Sequence, residues 1–208
     1  MSLYLGKIHY WLYNKILWFE GLEDEIIKLA KEEGIDVNKE CKILIKNFGE
    51  RLPNKSLEEL IDMKNIHGWL QDKITCAEER MAFWIREILK KDSESITKIE
   101  KIYIDQGLKA GKECLEKNED LSNAKSIFKK IDDYILDGMP CDRVNEILDS
   151  SDDIVSWKRR ICVHKKVWEN DVELFYQLRS LWIKSFINTV NNEFNYVEED
   201  GINKIERV

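Results

Sequence analysis

Apolar side chains return every third or fourth position along almost the whole of this 208-residue chain, and only two prolines interrupt them. A period near 3.6 places such residues on one stripe of an α-helix, whereas a half-buried strand needs a period of two. The pattern therefore predicts an all-α fold, a multi-helix bundle of about seven to nine helices. It is expected to form a single helical domain over residues 1–208, with possible halves at 1–118 and 119–195. Residues 196–208 read as a polar C-terminal tail that frays.

Start and stop signals divide the bundle. The first helix is expected from Leu3 to Glu20, with a continuation through Ala30 that stops at Gly34, and Asp36 is placed to cap the next. Ser56 and Glu59 stand at capping-box spacing ahead of a long helix to Lys90. Later helices are expected to reach Lys117, Gly138, Trp168 and Phe194, the penultimate one opening after the Ser150–Asp153 cluster and the last one at Asn170.

Within this pattern, the segment Ile8–Ile16 (IHYWLYNKI) returns 58 positions later as Ile66–Ile74 (IHGWLQDKI), and under the same offset Glu20 matches Glu78 and Ile27 matches Ile85. Two pseudo-symmetric N-terminal helices follow from the echo. In each copy a Glu follows the His by three turns, about 16 Å along one face, too far to share an ion. Antiparallel packing around a local twofold is expected to bring His9 to Glu78 and His67 to Glu20 instead.

The third histidine, His164, falls at helical spacing among Trp157, Ile161 and Trp168, so all three imidazoles are expected to face inward. Converging from three helices, His9, His67 and His164 would suit a mononuclear zinc or iron site, with Glu20, Glu78 or Glu169 as carboxylate ligands. No histidine stands in the Glu-x-x-His spacing of ferritin-like di-iron bundles. On the opposite face of the same expected helix, Lys158, Arg159, Lys165 and Lys166 form a basic stripe that could hold an anionic ligand or an acidic partner surface but reads more plainly as a solvated face.

A distinctive turn, Asp137–Arg143 (DGMPCDR), sets Cys141 in the first turn of an expected helix with Arg143 close by, a setting that favours the thiolate of a nucleophile or redox centre. The plainer reading has Met139 plugging a hydrophobic gap and Cys141 inert.

A formal net charge of -7 works against nucleic acid and anionic membrane surfaces as partners. The N-terminal segment lacks both a continuous apolar core and a small-residue cleavage site. The five cysteines are scattered and never form Cys-x-x-Cys, so reduced thiols and a cytoplasmic location are expected. Gly-rich phosphate loops and the common catalytic motifs are missing.

Two function classes remain. The first is a cytosolic binding or interaction protein, self-associating or taking a protein or small-molecule partner, whose cavity is shaped by Trp11, Trp69, Trp157, Trp168 and Arg143. The second is an enzyme, using either the three-histidine metal site or Cys141.

Overall fold

The computed structural model describes residues 4–208, so the expected helix start at Leu3 lies outside the described residues. The chain forms two compact units, Met1–Ile99 and Glu100–Val208. Among the described residues no helix is long and apolar enough to cross a membrane.

The first unit is built on two 26-residue helices, α1 (Lys7–Glu32) and α4 (Ile66–Lys91). They are the two copies of the repeat, but they run parallel rather than antiparallel. His9 meets His67, Arg80 meets Glu20 and Glu23, and Lys91 reaches Gly34, so every contact joins residues a near-constant 57 to 60 positions apart. Matched positions consequently face each other: Leu12 and Leu70, and Ile16 and Ile74, are all buried.

The chain between the two helices explains the direction. A helix of 26 residues is about 39 Å long. To start α4 beside the start of α1, the chain must travel that distance back. Helix α2 (Val37–Phe48), capped by Asp36 as its sequence predicts, covers part of the return. An extended segment then descends α1 step by step: Arg51 binds Asp24, the Leu52 amide donates to Glu20 and the Tyr13 hydroxyl donates to the Lys55 carbonyl. Tyr10 completes the descent by donating to Glu58. The capping box at Ser56 and Glu59 forms, yet it opens only the four-residue α3 (Leu57–Leu60), and Asn65 caps α4 separately.

The second unit overturns the all-α expectation. It holds α5 from Glu100 onward (the whole helix is Ile96–Glu116) and α6 (Ala124–Asp132), followed by β1 (Asn145–Ser150) and β2 (Ile154–Arg159). After these come α7 (Lys165–Trp168), α8 (Val172–Val190), β3 (Phe194–Glu199) and β4 (Ile202–Arg207). The strands make one antiparallel sheet in the order β1-β2-β4-β3.

Two misread signals account for three of the four strands, β2, β3 and β4. Trp157, Ile161, His164 and Trp168 fall three and four apart and imitate a helical stripe, whereas the true alternation is Val155-Trp157-Arg159 on one face of β2. The supposed tail is a hairpin, its turn formed by Asp200 and Gly201 with φ of 50° and 74°. Two positive-φ residues in a two-residue loop match the right-handed twist of the flanking strands, which makes Asp-Gly a strong hairpin signal.

Helix α8 packs on β3, and α6 packs on β2 and β4. On its other side α8 lies hard against α5: a Cβ at Gly107 would sit 2.4 Å from the Trp182 carbonyl oxygen, so only glycine permits the approach. Trp182 Nε1 donates to Gln106 and the Ser185 hydroxyl to the Ile104 carbonyl across the same seam.

Candidate functional site

The face of the sheet turned toward α6 and α8 carries Val155, Trp157 and Arg159 from β2, Ile205 and Asn203 from β4, and Phe194, Tyr196 and Glu198 from β3. At one end this face is apolar and closed, with Val155, Ile205 and Phe194 all buried. Toward the other end the cross-strand row Trp157, Asn203, Glu198 and the adjacent Arg159 turn it polar. Charged side chains on the covered face of a sheet break the inside-apolar rule, and such breaks concentrate at functional sites.

The polar end opens into a cavity of about 60 Å³, half enclosed, which α6 lines with Phe128 and Asp132 and α8 lines with Tyr176, Arg179 and Ser180. Room for a few waters or a small polar group results. Burial pushes the Tyr196 hydroxyl up to about 12, so it stays protonated and donates to Asn203 Oδ1 at 2.5 Å. Burial likewise pushes the Tyr176 hydroxyl up, with the Cys162 thiol 3.3 Å away.

One wall carries a charged cluster. Asp137 Oδ1 lies 2.8 Å from both His164 Nε2 and Arg179 Nη1, and the Asn145 amide donates to Asp137 Oδ2 at 2.9 Å. A carboxylate can only accept, so His164 Nε2 carries a proton; Arg179 Nη2, 3.0 Å from that nitrogen, sends its own hydrogen to the Leu136 carbonyl. Burial alone would raise the Asp137 carboxyl, but the Arg179 guanidinium and the His164 ring together hold it well below the usual carboxylate range. His164 itself is fully buried against Phe175 and Tyr176 and lies off the cavity wall. It holds Asp137 from the side away from the cavity.

Arg159 is the unpaired member. Its guanidinium stacks 3.2 Å over the Tyr176 ring and makes no ion pair among the described residues. The strand places it inward and Lys158 outward, which corrects the reading of both as one solvated basic stripe.

The residues singled out from sequence fall as follows. His9 is buried, accepts the Gly6 amide at Nδ1 and lies 5.6 Å from the exposed His67 ring, centre to centre. Burial, reinforced by His67, lowers its pKa. Glu20 is bound by Arg80 Nη2 at 2.5 Å and by the Leu52 amide, in place of the expected crosswise histidine, while Glu78 is buried on α4. Glu169 is exposed with φ of 50°. Among the described residues no three His, Cys, Asp or Glu side chains gather as a metal site would require.

Trp11 and Trp69 lie in the first unit, each under the Lys four residues on, Lys15 and Lys73, so the repeat extends to a cation–π pair. Trp157 lines the cavity, and Trp168 packs on Phe175. Met139 is buried, while Cys141 and Arg143 are exposed, in or beside a three-residue turn (Pro140–Asp142) rather than an α-helix. The macrodipole argument for a Cys141 thiolate thus loses its helix.

Arg179, Tyr176, Tyr196 and Glu198 escaped sequence reasoning, while Arg159 entered it only within a basic stripe and Asp137 only as the start of a turn. The Asp200-Gly201 turn was the available signal, because it fixes a hairpin and with it which residues of β3 point inward. Comparison of the chain with protein-family models, with curated proteins and with solved structures finds no match.

Proposed function

We propose that the second unit is a binding module for a small anion-bearing molecule, with Arg159 receiving the anionic group. The observation that carries this reading is a half-buried guanidinium on the covered face of a sheet, directed at a cavity and in no ion pair among the described residues. An arginine in that position raises folding cost unless a ligand supplies the missing charge, and its planar fork suits carboxylate. Trp157 and Phe128, their rings 4.9 Å apart, form an apolar wall for the remainder of such a molecule.

Binding is favoured over catalysis because the one histidine in the region is sealed behind Asp137. All five cysteines are unpaired, which supports a reducing, cytoplasmic setting. Titration calorimetry with propionate is the direct test. Loss of the Arg159 charge in Arg159→Gln is expected to weaken binding by about tenfold or more, since a hydrogen bond to a charged group contributes roughly 1.5–3 kcal/mol. Equal propionate affinity in the two proteins would remove Arg159 from the site.

A further inference from the structure

The cavity holds a second uncompensated charge. Glu198, at its open rim, accepts a hydrogen bond from the Ser180 hydroxyl at 2.8 Å and makes no ion pair among the described residues. Glu198 and Arg159 point from the same face of the sheet, on strands separated only by β4. Two long, oppositely charged side chains in one small cavity attract each other strongly in a partly dry environment. Here each is held away from the other: Arg159 by stacking on Tyr176, Glu198 by Ser180.

The other polar groups of the wall are already committed. Asp137 and Arg179 are closed on each other, and Tyr196 is closed on Asn203. What the cavity offers a ligand is therefore the Arg159 cation and the Glu198 anion, kept apart, with the Asp132 carboxylate also on the wall. A simple anion satisfies Arg159 but meets repulsion from Glu198. A simple cation meets the reverse arrangement. Only a molecule carrying both charges satisfies both sides.

Building on the anion-binding reading, we propose that the ligand is a small zwitterion of the amino-acid class. Its carboxylate pairs with Arg159, its protonated amine with Glu198, and its carbon skeleton lies against Trp157 and Phe128. The modest volume of the cavity restricts the enclosed part to a short skeleton.

The test is calorimetry on the full chain with alanine, β-alanine and 4-aminobutyrate, which differ in charge separation, beside propionate and propylamine, which each lack one charge. At least one amino acid is expected to bind about tenfold or more tightly than propionate, the gain of one added charge-assisted hydrogen bond. Glu198→Gln, an isosteric change at an exposed position, should erase that gain and should tighten rather than weaken propionate binding, since it removes the repulsion, while Glu198→Asp should keep part of the gain. Unchanged thermal melting of both variants verifies folding.

Propionate binding with no advantage for any amino acid overturns the zwitterion proposal and leaves the anion reading standing. The zwitterion proposal is likewise overturned if the advantage survives Glu198→Gln, or if propylamine binds as tightly as the amino acids. Absence of binding by every probe overturns both readings.

Discussion

Each unit buries a cluster of carboxylates and arginines, and the two clusters behave in opposite ways. In the first unit Glu20 and Glu23 share Arg80, which is 3 % exposed and forks onto Glu23 at 3.0 and 3.2 Å, while Arg51 approaches Glu23 from the loop side at 3.6 Å. Burial there outweighs the arginines, and both carboxyl pKa values are raised. In the second unit a single carboxylate, Asp137, is served by Arg179 and His164 beside a cavity, and its pKa is lowered despite burial. Ratio and seal make the difference. Two carboxylates around one fully desolvated guanidinium fasten the returning loop to α1 and α4; one carboxylate with three donors stays ionised at the edge of a site.

The largest effect should come from breaking the sealed cluster. Arg80→Met leaves two carboxylates buried without their main partner and is expected to destabilise the protein by about 3–5 kcal/mol at neutral pH. Because burial raises both carboxyl pKa values and loss of Arg80 would raise them further, denaturant midpoints of the variant should move toward wild type as the pH is lowered from neutral. A deficit independent of pH would show that Arg80 acts by packing alone.

Asp137→Asn should cost less, roughly 1.5–3 kcal/mol at neutral pH, the contribution of charge-assisted hydrogen bonds. A depressed folded pKa means stability that is present above the unfolded value of about 3.9 and lost as pH falls below it, so the gap between variant and wild type should narrow below about pH 4. A gap that instead widens on acidification would contradict the assigned sign.

Carboxyl carbon-13 titration compares the clusters without substitution. Glu20 and Glu23 should titrate above the ordinary Glu value of about 4.3, and Asp137 below the ordinary Asp value of about 3.9. Overlapping midpoints would erase the contrast between the regions. The smallest effect is expected at His9, where Gln replaces an imidazole that accepts one amide; a change of about 1 kcal/mol or less is expected in urea unfolding. A loss comparable to that of Arg80→Met would mean that the helix ends carry as much of the stability as the sealed cluster.

Much of the first unit was legible in the chain. The echo of Ile8–Ile16 in Ile66–Ile74 located two related helices, and Asp36, Ser56 and Glu59 act as caps as their spacing predicts. Relative direction was not legible, because an amphipathic stripe has the same period whichever way its partner runs. That information resides in the return segment, where Arg51, Leu52 and Lys55 contact α1 in descending order. The second unit was misread at Ile154–Arg159, where six residues hold too few periods to separate a strand from a helix when aromatic residues continue the wrong rhythm. The site was lost with it: Arg159 faces the cavity only if the segment is a strand.

Parallel alignment of α1 and α4 also has an electrical consequence. Antiparallel helices largely cancel their backbone dipoles, but parallel ones add, so the pair presents about one full positive charge at the end near His9 and His67 and an equal negative charge at the other. The buried His9 imidazole, its pKa lowered by burial and by the neighbouring His67, sits at that positive end. At the opposite pole the Lys91 ammonium reaches over to donate to the Gly34 carbonyl at 2.7 Å, placing a cation of one helix on the exposed carbonyls of its twin. A duplicated sequence folded in the same direction thus gives the first unit a polarity that a mirrored arrangement would have erased.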